Sequence, residues 1–190
     1  MYLEYSCHGL VWIGGVFAFL YLLPSWMELW SNLLLLLFLD IVFVAVVKVI
    51  FGSFLRVISI NDRKMRFCAF QAFTRRRRPG YNQGKMFVTV GPDKFSFPSG
   101  HATRAVALAL FFGIAHPPIH SIVALPVFTA WAVAVCLSRV LLGRHHILDV
   151  GGGVAIGALE YALASMLAIG PDAAEGLRQY LFDDDPWSSG

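Results

Sequence analysis

Apolar residues run along this chain in long blocks, not in strand-like alternation. Residues 9–26, 33–51, 102–115, 119–137 and 147–169 are mostly apolar. A helix that crosses a bilayer takes about 20 such residues. Backbone groups inside lipid must be satisfied within the segment, so these blocks predict helices. The third block is short and opens on polar residues. The reading is an all-α integral membrane bundle of about five spans. Residues 1–170 form its domain, and 171–190 a polar, acidic C-terminal tail ending in Asp183, Asp184 and Asp185.

The connections sharpen that picture. Loops 24–32 and 116–118 are short, whereas 52–98 is long, basic and rich in Gly and Pro. With five spans, the N-terminus, loop 52–98 and the turn 138–146 share one face. The basic side faces the cytosol by the positive-inside rule, unless its arginines serve to bind phosphate.

Composition agrees with a membrane bundle. Hydrophobic residues make up 57% and charged residues 14% of the 190, against about 25% charged in ordinary soluble domains. The mean hydropathy is +0.66. The net charge of +3 is small. No Lys or Arg precedes Lys48, and the basic residues concentrate between Arg56 and Arg78. Nothing in this pattern points to nucleic acid. Cys7, Cys68 and Cys136 are isolated, so they read as apolar fillers, not as a disulfide or metal framework. The first block lacks a basic leader and a small-residue cleavage pattern, so no cleaved signal peptide is expected.

Three polar clusters fall on the shared basic face. The first is Arg75-Arg76-Arg77-Arg78-Pro79. The second is Pro98-Ser99-Gly100-His101, where the third span begins. The third is Ser138-Arg139, His145 and Asp149, around the turn into the fifth span. His145 and Asp149 are four apart, which on a helix stacks them on one face. A carboxylate on one ring nitrogen leaves the other as acceptor or nucleophile. The planar fork of Arg139 suits phosphoryl oxygens. Ser99 and Gly100 at a helix start suit an anion, and His101 beside it suits protonation of a leaving oxygen. Each cluster has a plainer reading: an interfacial ion pair, a helix cap, or a topology signal. Within the spans, Asp40 and Arg104 are expected to pair, or Arg104 to support the site from below. Glu160 has no evident partner and reads as structural.

Taken together, the clusters resemble the signature of the phosphatidic acid phosphatase type 2 superfamily, K-x6-R-P, P-S-G-H and S-R-x5-H-x3-D. The second motif is met by Pro98 to His101 and the third by Ser138 to Asp149. The surroundings are similar to animal presqualene and polyisoprenoid diphosphate phosphatases, in Glu4 to Gly9, Arg75 to Asn82, Phe95 to Ala105 and Leu137 to Asp149. The resemblance implies hydrolysis of a lipid phosphate or diphosphate through a phosphohistidine. It implies His145 as nucleophile, Asp149 as its orienting group and His101 as acid. Arg78, Arg139, Ser99, Gly100 and a lysine would bind the phosphate. It implies no metal or other cofactor, a lipid phosphate substrate, and a membrane of the endoplasmic reticulum or nuclear envelope.

The first motif departs from this pattern. Gln71 stands where the lysine is expected, and Lys48 takes its place, with an atypical insertion over 52–74. Lengthening a loop adds only about 0.6 kcal/mol per doubling, so Lys48 is still able to reach the site. Two other readings stand beside the isoprenoid one. They are an inactive membrane scaffold of the same fold, and a phosphatase for phosphatidate or sphingoid phosphates.

Overall fold

The computed structural model describes residues 2–61, 97–116 and 121–183. A short helix α1 (Tyr2–Ser6) precedes α2 (Gly9–Leu22). One tight turn at Pro24–Trp26 leads into the long α3 (Met27–Asn61). Helix α4 (Gly100–Leu110) continues as a wide π-type turn over Phe111–Ala115. Then come α5 (Ser121–Leu141), α6 (Ile147–Met166) and α7 (Pro171–Arg178). The described residues contain no strand, and the chain is an all-α membrane bundle. Three helices have the length and apolarity to cross a membrane: 24–50, 122–141 and 147–166. Helices 9–22 and 100–115 are apolar but shorter.

The five apolar blocks thus each fold as a helix, with shifted ends. Helix α3 runs ten residues past the expected end at Phe51. No proline falls in 52–61, and Phe54, Leu55 and Ile58 continue a helical spacing in the sequence. The first part of the 52–74 insertion is therefore helical, not loop. The rest, together with Arg75 to Arg78, lies outside the described residues. Residues 171–178 fold as a helix with Pro171 in its first turn. This helix is tied down: Asn32 Nδ2 donates to the Ile169 carbonyl (3.0 Å) and the Ile169 amide donates to Asn32 Oδ1 (2.7 Å).

Helix α4 is the centre of the bundle. Ala102, Thr103, Ala105, Ala107, Leu108 and Ala109 are buried on all its sides, and a helix buried all round lies in a core. Its small residues let α6 come close. A Cβ on Gly157 would sit 2.3 Å from the Thr103 carbonyl oxygen, and one on Gly153 would sit 2.8 Å from that of Ser99. Only glycine permits such an approach, the small-residue packing known from membrane helices. Large apolar side chains such as Leu10, Tyr21, Ile122, Leu141 and Met166 point outward instead. An apolar exterior around small residues and buried charges is what lipid surroundings require.

Of Asp40, Arg104 and Glu160, two meet. Arg104 Nη2 donates to Asp40 Oδ2, and Nη1 donates to the Cys7 carbonyl (3.1 Å). The expected Asp40–Arg104 pair is present. Glu160 is fully buried, and neither carboxylate oxygen has a hydrogen-bond partner among the described residues.

Candidate active site

The start of α4, the end of α5 and the start of α6 gather at one end of the bundle, joined by the backbone bonds Ser99 to Asp149 and His145 to Arg139. The turn from α5 to α6 sets this geometry. Gly143 has φ 63°, in the left-handed region that glycine adopts without strain. Its amide donates to the Val140 carbonyl (2.9 Å) and the Arg144 amide to the Arg139 carbonyl (3.1 Å). This pairing is the Schellman helix stop. The His145 amide donates to the same Arg139 carbonyl (3.2 Å). Arg139 and His145 are thereby fixed to each other through the backbone. Arg139 is 1% exposed and His145 is 7% exposed, so both belong to the interior.

His145 precedes α6 and does not stand on it, contrary to the helical stacking expected from the spacing. His146 is the N-cap and Asp149 the third helical residue. Asp149 Oδ2 accepts from the His146 amide (2.8 Å), the return arm of a capping box. That bend points the carboxylate back, and Oδ2 lies 3.9 Å from His145 Nδ1. This is an ion-pair distance, too long for a hydrogen bond. Asp149 Oδ1 is buried without a hydrogen-bond partner among the described residues.

The segment before α4 crosses this end of α6. The Ser99 amide donates to the Asp149 carbonyl (3.1 Å). Gly152 and Gly153 leave room for the Phe97 ring and the Ser99 carbonyl, respectively. Ser99 is the N-cap of α4, yet its side chain makes no capping bond. Its Oγ is buried and unpartnered among the described residues, as is Nε2 of His101. The expectation that α4 begins near His101 holds to one residue. Helix α4 opens toward this pair with the free backbone donors of its first turn, a place that favours anions. The guanidinium groups of Arg139 and Arg104 act on the His101 ring.

Lys48 approaches from α3. A Cβ on Gly100 would lie 3.6 Å from Val44 Cγ1, so α3 passes the start of α4 at Val44. Asp40 and Lys48 are one turn to either side of Val44 on the same face. Asp40 reaches down to Arg104. Lys48 stands about 6 Å further along the axis, beyond the start of α4.

The structure thus brings together Ser99, Gly100, His101, Arg139, His145 and Asp149, with Lys48 one turn outside. Arg78 lies outside the described residues. Sequence reasoning missed Glu4, Gly143, Gly153 and Gly157. Gly143 carried a signal, since glycine just past a helix end marks a left-handed stop. Glu4 showed only as part of the Glu4 to Gly9 likeness, with no sign of its partner 140 residues away: Arg144 Nη1 donates to Glu4 Oε1 (2.7 Å). No metal-binding group of His, Cys, Asp or Glu occurs among the described residues.

Comparisons with known proteins agree with this constellation. The model of the PAP2 superfamily matches residues 29–168. The chain is 32% identical over 154 residues to the probable lipid phosphate phosphatase beta of Arabidopsis thaliana, covering 69% of this chain and 62% of that protein. It is 37% identical over 100 residues to a decaprenylphosphoryl-5-phosphoribose phosphatase of Mycobacterium tuberculosis, covering 53% and 52%. It is 36% identical over 80 residues to phosphatidylglycerophosphatase B of Bacillus subtilis, covering 39% of each chain. The chain therefore spans less than two thirds of the length of these relatives. No solved structure matches it. The family match takes in α3 through α6 and every one of the gathered residues, and on it the chain belongs to the PAP2 superfamily.

Proposed function

We propose that the chain hydrolyses membrane lipid phosphates, with isoprenoid diphosphates as its substrate class, through a phosphohistidine on His145. One observation carries this reading. Two buried polar atoms, Ser99 Oγ and His101 Nε2, have no hydrogen-bond partner among the described residues, at a helix start beside His145. A buried polar atom without a partner costs about 1–3 kcal/mol, so it implies a ligand that supplies one. A phosphoryl group accepts from the Ser99 hydroxyl, the first amides of α4 and the Arg139 fork.

In the first step His145 Nε2 attacks phosphorus, and the bond to the leaving oxygen breaks. His101 gives that oxygen a proton. Asp149 closes on Nδ1 and stabilises the positive ring. In the second step water attacks the phosphohistidine, His101 takes its proton, and the nitrogen–phosphorus bond breaks to release phosphate. Arg139, Lys48 and Arg78 are assigned the developing oxyanion charge, the role fixed cationic donors play in such transition states. With those donors the reaction needs no metal, so activity is expected to survive a chelator.

Two named relatives act on a polyprenyl-linked and a glycerolipid phosphate, respectively. The first, with the animal-type sequence likeness, favours the isoprenoid class. That likeness also supports a place in the endoplasmic reticulum or nuclear envelope, which imaging of a tagged full chain tests. The activity test is phosphate release from farnesyl or presqualene diphosphate by purified protein in detergent with EDTA. Faster turnover of phosphatidate or sphingosine phosphate would move the substrate class. No release from any of them would leave an inactive scaffold of the same fold.

A further inference from the structure

Glu4 is a carboxylate at the rim of a site built to hold anions. Its Oε1 accepts from Arg144 Nη1 at 2.7 Å and lies 3.9 Å from Arg139 Nη1. One oxygen therefore sits between two guanidinium groups, as an oxygen of a bound anion would. Glu4 is not a loose surface acid. Its helix is pinned to the site by the residues that follow. The Ser6 hydroxyl accepts from the Trp131 indole (3.2 Å) and the Ser6 carbonyl from the Trp12 indole (2.8 Å). Cys7 is fully buried, and its thiol donates to the His101 carbonyl (3.3 Å). Arg104 donates to the Cys7 carbonyl (3.1 Å). The segment that carries Glu4 thus contacts α4 at His101 and Arg104, α5 at Trp131, and the catalytic turn at Arg144.

We propose that Glu4 is a positioning residue that acts through Arg139 and Arg144 as a built-in counter-anion, weakening the hold of the site on its phosphate product. This rests on the phosphatase reading above. Cations gathered to stabilise a transferring phosphoryl group also bind the inorganic phosphate left at the end. Product release sets the turnover of many enzymes. A carboxylate that shares the same two arginines offsets part of their charge and takes Arg144 when phosphate departs.

The test is Glu4→Gln, which keeps the volume and an acceptor oxygen and removes the charge. Orthophosphate binding is read from the shift in thermal unfolding of the full chain in detergent. Product inhibition, KM and kcat are read on farnesyl diphosphate. The variant is expected to bind orthophosphate at least about tenfold tighter, between the effect of one unit charge in bulk water and that near a protein surface. KM and kcat are expected to fall together. Glu4→Asp, which keeps the charge, is expected to return phosphate affinity toward the parent value. If Glu4 only anchors the N-terminal helix, Glu4→Gln lowers the unfolding temperature and kcat with phosphate affinity and KM unchanged, and the proposal is overturned. Tighter phosphate binding in a chain that hydrolyses no lipid phosphate would support the counter-anion and sink the phosphatase reading. Orthophosphate binding to neither form, with lipid phosphate still hydrolysed, would overturn the counter-anion and leave the phosphatase reading standing.

Discussion

Replacing Gly157 with alanine should separate the two halves of the site without touching either. The new Cβ would lie 2.3 Å from the Thr103 carbonyl oxygen and 3.1 Å from Val106 Cβ. The first of these is backbone, so no side chain can swing away. Ordinary contact begins near 3.4 Å, so α4 and α6 must part by about 1 Å at this level. Overpacking of this kind costs about 1–3 kcal/mol. The larger effect is on geometry. Ser99 and His101 ride on α4, whereas His145 and Asp149 belong to the start of α6. A displacement of 1 Å between reacting groups costs about 100-fold in rate. The assay is kcat/KM for phosphate release, with unfolding temperature measured in the same detergent. Gly151→Ala is the control, because a Cβ there meets nothing within 4 Å. It should be neutral or slightly stabilising, as alanine is the better helix former. If Gly157→Ala matched the parent in rate, close α4–α6 packing would not be what aligns the site.

Other variants probe separate links. Arg104→Ala leaves Asp40 buried with no counter-charge, and should cost about 3–5 kcal/mol in thermal unfolding. Arg139→Lys keeps the charge but loses the planar fork, and should reduce kcat/KM by at least tenfold while unfolding is little changed. Asn32→Leu removes both bonds to Ile169; about 1–3 kcal/mol should be lost, with faster proteolysis near residue 170 as the readout. Burial pushes the Cys7 thiol up to about 12 from an ordinary 9.0. At pH 8 almost none of it is thiolate and the side chain is fully buried, so maleimide should label Cys7 only after unfolding.

The helical blocks were legible because lipid imposes one rule on every span, and Leu33 to Leu37 or Ile147 to Ile156 obey it openly. Their ends were less so. Nothing in 52–61 breaks a helix, yet the basic, Gly- and Pro-containing sequence that follows makes the whole of 52–98 read as a loop. At the C-terminus, three aspartates masked the stop-and-start signal of Gly170 and Pro171. In the site, Ser99, His101, Arg139, His145 and Asp149 announced themselves by residue type and spacing. Their local geometry did not. Four-residue spacing suggested a shared helix face for His145 and Asp149, and a capping box brings them together instead. Glu4 stayed hidden because its contact with Arg144 depends on how α1 docks, which no local pattern encodes.

The central claim is that His145 carries the phosphoryl group, and rapid quenching with a substrate labelled in its transferred phosphoryl group tests it most directly. The expected result is label on the peptide that contains His145, stable in base and lost in acid, and no label or phosphate release in His145→Ala. Turnover by His145→Ala, or label on another residue, would contradict the account.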